Sequence, residues 1–414
     1  MKIKSLLSIA FAVLCVAPAM AQSKTVTTTA AGTLATSLTE EEKGSVKELV
    51  ISGPINKSDF NFINTLATLE TLDIKAVTIA EETIEGKTYP ADELPESALA
   101  KNQTIKKVVL PASIVSAGTE SVYYLANLAT LDFSACVNLK TIKEQAFASN
   151  DYLTAINLSG LKKLETIGLN AFNTCMNKAT VSEPVIDLSG CSSLKEIDDY
   201  GLANVKNAGL KINFSGCTAL TRIGEGAFLN EKETEVDLHE CTALETIAKR
   251  AFSISVKTLA KITTVKLPAN LKTITTEAFR NQQKITSVSI LAVTPPTLGA
   301  SVFFATDGAY AATLTVPKGA KAAYEANEEW KKFGTIVESD GSSVNEFEAA
   351  KAVIWGADNT VYVKNAEAGT VVNVYDLTGA VVASGVADGD LALQVAAKGV
   401  YIVKAGKAVA KVRL

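Results

Sequence analysis

A single histidine, His239, serves all 414 residues. A serine or cysteine nucleophile activated by imidazole would have to use it, and clusters of histidine metal ligands are excluded by count. No two cysteines are spaced as a zinc knuckle requires. A basic excess is missing as well. The formal charge of -4 becomes about -6 once Lys2 and Lys4 leave with the leader described below, so there is no positive field for phosphate backbones and no nucleic-acid partner is expected. Beyond residue 21 no apolar run approaches the roughly 18 to 20 residues of a spanning helix, so no transmembrane helix is expected.

What the chain does have begins with a leader. Lys2 and Lys4 precede an apolar run from Leu6 to Val16, and Ala19-Met20-Ala21 supplies small residues before Gln22. That reads as a cleaved secretory signal peptide over residues 1–21. Cys15 follows Leu14 rather than a small residue, which argues against lipidation. Five cysteines remain, and Cys136, Cys191, Cys217 and Cys241 fall at one place in a repeated phrase, with Cys175 elsewhere. A shared place in a repeat reads as buried free thiols packing like small hydrophobes, not as a disulfide framework.

The repeated phrase is LDFSACVNLKTIKEQAF from Leu131, INLSGLKKLETIGLNAF from Ile156, IDLSGCSSLKEIDDYGL from Ile186, INFSGCTALTRIGEGAF from Ile212, VDLHECTALETIAKRAF from Val236 and VKLPANLKTITTEAF from Val265. With the shorter unit from Val108 the phrase recurs every 23 to 30 residues, the mark of a solenoid whose units bury their apolar faces only by stacking. The first and third strand residues, such as Leu131 and Phe133, share a side because side chains alternate, and they join Leu139, Ile142 and Phe147 in the interior. The closing pairs alternate small and large: Ala146-Phe147, Ala171-Phe172, Ala227-Phe228, Ala251-Phe252 and Ala278-Phe279. Gly201-Leu202 breaks that pattern, which predicts a locally adjusted turn. Two units carry extra residues, around 175–184 and 254–261, both after the closing pair. Insertions at one phase emerge on one side and are candidate contact surfaces.

Residues 22–47 read as an N-terminal cap, with a short edge strand and a helix begun by the capping box Thr39-Glu40-Glu41-Glu42. Residues 48–338 form the solenoid, with a surface insertion at 81–92. Its closing cap carries a strand at 314–316, a short helix at 318–332, and Tyr324, Trp330, Phe333 and Ile336 as packing residues. A small, polar linker follows at 339–347. In 348–414 strict alternation and Thr-Gly, Asp-Gly and Ala-Gly turns suggest about seven short strands in a small sandwich. The fold class is therefore an α/β-type leucine-rich repeat solenoid with a parallel strand per repeat, capped at both ends and followed by a small all-β sandwich domain.

No catalytic constellation emerges. His239 replaces Ser134, Ser159, Ser189 and Ser215 of the other long units and reads as a surface ladder position. Gly224 and Gly226 belong to a repeat turn, not to a phosphate loop. The acid pairs Asp198-Asp199, Glu81-Glu82 and Glu328-Glu329 are sequence neighbours, which in strands or helices point apart into solvent. One set of residues is left over by packing. Asp132, Asn157, Asp187, Asn213 and Asp237 occupy the outward strand position of successive units. Strands lie about 4.8 Å apart, so alternation with asparagine keeps like charges about 10 Å apart. With His239 these residues form a polar, mildly acidic stripe without aromatics, either a solvated ladder or a surface for a partner or cation. No cofactor is expected.

The phrase LxLSxCxxLxxIxxxAF, the opening ELVISGPINKSDF and the ending LTVPKGAKAAYEANEEWKKFGTI together resemble BspA-type leucine-rich repeat proteins of Bacteroidetes, over residues 26–338. The tail VYDLTGAVV…GVYIVKAGKAVAKVRL is similar to C-terminal sorting-type domains of the same bacteria. The resemblance implies an exported, non-enzymatic surface or secreted protein, adhesin-like in some relatives. Its ligand would be a protein or glycan on the solenoid face or the longer loops, and its C-terminal domain would engage the outer-membrane export machinery. A hydrolase acting on glycan or peptide, and a purely structural envelope component, are the alternatives.

Overall fold

In the computed structural model the described residues are 22–179, 185–205, 210–231, 233–303, 305–306, 309–339, 353–357, 360–376, 378–397, 399–406 and 408–414. The leader and residues 340–347 of the expected linker lie outside them. The chain folds as two compact units. The first runs to Thr264 and adds Leu271–Lys284 and Thr297–Ala305; the second comprises Val265–Asn270, Ile285–Pro296 and Thr306–Leu414.

The first unit opens with strand Gln22–Thr27, parallel to Val46–Ile55. Helix Glu40–Ser45 has the expected capping box: the Glu42 amide donates to the Thr39 hydroxyl at 3.2 Å, and the Thr39 amide to the Glu42 carboxylate at 2.8 Å. A second helix, Lys57–Ile63, is held the same way by Asn56 and Asp59. The buried Asp59 carboxylate also accepts from the Gly32 and Leu34 amides at 2.7 and 3.0 Å, joining cap to first repeat. The insertion at 81–92 forms a hairpin of Glu82–Ile84 and Lys87–Tyr89.

Each repeat then makes two parallel strands, one more than the phrase suggests. The first strands pair as Val46–Ile55, Thr71–Ile79, Lys107–Val109 and Thr130–Asp132, and again as Ile156–Asn157, Val185–Asp187 and Lys211–Asn213. The second are two-residue strands, from Glu93–Leu94 through Thr141–Ile142 and Arg222–Ile223 to Thr297–Leu298, in one nine-stranded sheet. Their Ile or Leu, or Ala117 in one strand, points inward while the preceding polar residue, except the buried Glu93, faces out, the period-two rule in its shortest form.

No helix closes these repeats. The residue before each closing pair is left-handed: φ is 52° at Gln145, 54° at Asn170 and Tyr200, 58° at Gly226, 56° at Arg250 and 62° at Glu277. That backbone aims alternate amides along the stack. Phe147 donates to Ala171 O, Phe172 to Gly201 O, Leu202 to Ala227 O, Phe228 to Ala251 O and Phe252 to Ala278 O, all at 2.8 to 2.9 Å. Backbone polar groups that a helix would satisfy internally are satisfied by the neighbouring turn. The expected adjustment at Gly201-Leu202 is absent: Tyr200 keeps the left-handed conformation, and the ladder passes through Gly201 and Leu202 because it uses only backbone atoms.

Side chains follow. Phe147, Phe172, Phe228, Phe252 and Phe279 are fully buried. Phe147 and Phe172 stack at 5.2 Å between centroids, and Phe228, Phe252, Phe279 and Phe303 form a run at 5.1 to 5.3 Å with planes within 7°. Leu202, also fully buried, takes the ring's place between the two runs. Burying each ring contributes roughly 1.5 to 3 kcal/mol.

In the second unit strands Thr264–Leu267, Ser287–Ile290, Ala309–Val316 and Phe333–Glu338 continue in parallel order. The predicted packing residues close it. Tyr324 Oη donates to Ala292 O and Trp330 Nε1 to Pro296 O, each at 2.7 Å, so both buried rings also satisfy their polar atoms. The helix is shorter than expected, Lys321–Ala326, followed by a 3-10 turn at Trp330–Lys332.

The C-terminal strands are Val353–Ala357, Thr360–Tyr375, Val381–Gln394, Val400–Ala405 and Ala408–Arg413. They form one antiparallel sheet around Val361, Val363, Val372, Val374 and Val403. Five described strands stand where about seven were expected. Gly369 and Gly389, read as turn residues, have φ of 86° and 87° but lie in strands of 16 and 14 residues, where the register slips between Ala366 and Thr370. Glycine marks a bulge there rather than a reversal. The VYDLTG hairpin is a true turn: Asp376 Oδ1 accepts from the amides of Thr378 and Ala380 at 2.8 and 3.0 Å.

Candidate functional site

The outward stripe has a backbone role. Asp132 Oδ1 accepts the Ser134 amide at 2.8 Å, and Asn157, Asp187, Asn213 and Asp237 accept from Ser159, Ser189, Ser215 and His239 at 3.0 to 3.1 Å. These are Asx turns that end each strand, and a carboxylate or a side-chain amide serves equally as acceptor. Hydrogen bonding within the turn thus accounts for the Asp/Asn restriction, and the residue two positions on needs only its amide, which is why histidine can replace serine at His239. Burial raises the Asp132 carboxyl, but the hydroxyl and amide of Ser134, with Lys107 and Lys75 nearby, outweigh it and hold the group below its ordinary range.

Asn157, Asp187 and Asn213 are direct cross-strand neighbours. Asp132 belongs to a different sheet, paired through Val109, and Asp237 to another. The stripe is therefore broken between Asp132 and Asn157 and again between Asn213 and Asp237.

The five cysteines are buried free thiols. Cys136, Cys191 and Cys217 donate to the carbonyls of Pro111, Leu158 and Leu188 at 3.1 to 3.4 Å, and Cys175 to Phe147 O at 3.2 Å. Burial pushes the thiols of Cys136, Cys175, Cys191 and Cys241 up to about 12. Among the described residues no group of three His, Cys, Asp or Glu is placed to hold a metal ion.

Adjacent acids do not all point apart. Asp198 and Asp199 lie in a turn, not a strand or helix, and both converge on Arg222, at 3.5 and 2.9 Å, with Glu196 at 2.6 Å. Glu328 and Glu329 pair separately with Lys331 and Lys332.

Exposed apolar residues stand on the second longer loop and on two earlier turns. From the first longer loop Lys178 reaches the turn before it, pairing with Asp151 at 2.9 Å and sitting 5.5 Å over the Tyr152 ring; Tyr152 is 40% exposed, and Tyr124, one turn further back, 49%. Residues 180–184 of that loop lie outside the described residues. The second forms a 3-10 turn at Lys257–Leu259 and exposes Val256 and Leu259 by 51% and 46%. It is anchored rather than loose: Ser255 donates to Asn230 Oδ1, Asn281 Nδ2 to Ile254 O and Gln283 Nε2 to Lys257 O, at 2.7 to 3.0 Å.

Sequence reasoning passed over Tyr124 and Tyr152, which follow the closing pairs just as the insertions do. It also passed over a buried polar corner, where Asn150 and Glu231 accept the amides of Leu125 and Val205. Glu233, beside it, is buried with no partner for its carboxylate among the described residues, and burial raises it to about 8.

A family model described as the BspA type leucine rich repeat region matches the chain in six copies, over residues 82–204 and 185–309. No curated protein matches the sequence. Among solved structures the chain is similar to the pneumococcal vaccine antigen PcpA, at 17% identity over 70% of this chain and 80% of that one, with a TM-score of 0.28. It is also similar to a leucine-rich repeat protein from Eubacterium ventriosum, at 12% over 69% and 78% with a TM-score of 0.30. A third, from Bacteroides ovatus, shares 14% over 63% and 90% with a TM-score of 0.17. Scores this low carry no argument about function.

Proposed function

The chain belongs to the BspA type leucine-rich repeat family, and on that premise we propose that it is an exported, non-enzymatic surface or secreted protein that binds a host or matrix protein. One observation carries the reading: the second longer loop, anchored to its neighbours, holds Val256 and Leu259 in solvent, and Tyr124 and Tyr152 stand exposed after the matching point of earlier repeats. Aromatic and apolar anchors on a pre-ordered surface suit protein recognition, because little side-chain freedom remains to be lost on binding. No helix among the described residues is long and apolar enough to cross a membrane. Export through the leader, and attachment at the outer membrane through residues 348–414, complete the proposal. The mature chain, applied to an array of host matrix proteins and glycans, should retain at least one protein and release no product; turnover of any spot would turn the reading toward a hydrolase. Surface display that survives deletion of residues 361–414 would remove the sorting role.

A further inference from the structure

The break between Asp132 and Asn157 opens a cavity. Leu110, Leu158 and Leu188 donate their amides to the Asp132, Asp187 and Asn213 carbonyls of the next turn, at 2.8 to 3.1 Å. Phe133 holds the same place in its turn, and among the described residues its amide makes no such bond to Asn157. The two turns are still tied just upstream, where the Thr154 amide and hydroxyl both donate to Ala129 O at 3.1 Å. Strands Thr130–Asp132 and Ile156–Asn157 thus diverge as a wedge, closed at one end and open toward Ser134 and Ser159. The cavity there is about 350 Å³, within the roughly 300 to 1,000 Å³ of small-molecule sites.

Its side chains select a chemistry. Thr130, Asp132, Ser134, Thr154, Asn157 and Ser159 line it, four hydroxyls with one carboxylate and one amide. Asp132 and Asn157 are fixed in advance by their turn bonds, and Asn157 keeps its Nδ2 as a donor. The Asp132 carboxyl, held below its ordinary range by the Ser134 bonds with Lys107 and Lys75 nearby, stays ionised and disfavours an anionic ligand. The closed end at Ala129 and Thr154 stops an extended peptide from running through as an added strand. A compact, neutral, hydroxyl-rich molecule meets all three conditions, since each hydroxyl can both donate and accept.

We propose that the wedge between Thr130–Asp132 and Ile156–Asn157 is a binding site for a neutral sugar unit, separate from the loop surface that binds protein.

The test is saturation-transfer NMR on the mature protein with glucose, galactose, mannose, fucose and N-acetylglucosamine at millimolar concentration, and sialic acid as the anionic control. At least one neutral sugar should receive saturation. Thr130→Trp, which fills the wedge from an exposed strand position, should weaken the signal at least about fivefold. Val185→Trp, at the matching place on a strand paired on both sides, should leave it unchanged, with circular dichroism confirming that both variants fold. Transfer to no neutral sugar, transfer that persists in Thr130→Trp, or sialic acid binding as well as the neutral sugars would each overturn the proposal. None of these outcomes touches the protein-binding reading, which the matrix-protein array measures independently.

Discussion

The ring of Phe228 lies parallel to that of Phe252, 5.1 Å between centroids and 2° between planes, while the Phe228 amide donates to Ala251 O at 2.8 Å. One residue thus joins two turns twice, by side chain and by backbone. Phe228→Ala should keep the backbone bond and leave a cavity between Phe252 and Leu202, costing roughly 3 to 5 kcal/mol. A denaturant melt reads it directly, and an unchanged midpoint would remove the stacked core from the account.

Gly226 is the one glycine among the left-handed residues before the closing pairs, and the neighbouring turn explains it. A Cβ there would lie 2.6 Å from the Tyr200 ring. Gly226→Ala should destabilise by about 1 to 3 kcal/mol, the usual range for overpacking. Tyr200→Ala should recover most of the loss if the ring is the cause. A double-mutant cycle with no coupling would place the cost in the backbone instead.

Glu233 links stability to pH. Its carboxyl, raised by burial from 4.5 to about 8, keeps its proton in the fold while the unfolded chain releases it. The contribution is therefore complete below about pH 4.5, falls as pH rises, and levels off above about pH 8, by on the order of 3 kcal/mol at neutrality. Urea melts at pH 5 and pH 8 should differ in the native protein and converge in Glu233→Gln. Equal differences in both would show that the carboxyl has a partner.

The cysteines should be silent until the chain unfolds. Thiols raised to about 12 by burial carry almost no thiolate at pH 8. Iodoacetamide followed by mass spectrometry should leave all five unmodified in the native protein and label all five in urea. Rapid native labelling of Cys191 would contradict its place in the core.

Much of this was legible in the sequence, because a repeat prints its packing many times over. The Leu, Cys and Phe positions recur at one phase, and the capping box at Thr39 and Glu42 needs only local spacing. Other features depend on neighbouring turns and leave no local mark. The left-handed residue before each closing pair is Gln145, Asn170, Tyr200, Gly226, Arg250 or Glu277. No residue type betrays it, since the inter-turn hydrogen bonds enforce the conformation. The Asp and Asn stripe was visible, but its acceptor role was not, because the donor amide belongs to a residue of any type. Asp198 and Asp199 read as solvated neighbours until Arg222, a turn away in space, drew both together. The wedge at Asn157 was least legible of all, because a missed pairing between strands has no signature in either strand.

Binding through the anchored loops is tested most directly by surface plasmon resonance of the mature chain and the double variant Val256→Ser, Leu259→Ser against whichever matrix protein the array identifies. Both residues are exposed, so the variant should fold and melt as the parent does. The account predicts saturable binding by the parent and at least about tenfold weaker binding by the variant, about 1.4 kcal/mol. Equal affinity in the two would contradict the loop surface as the site of recognition.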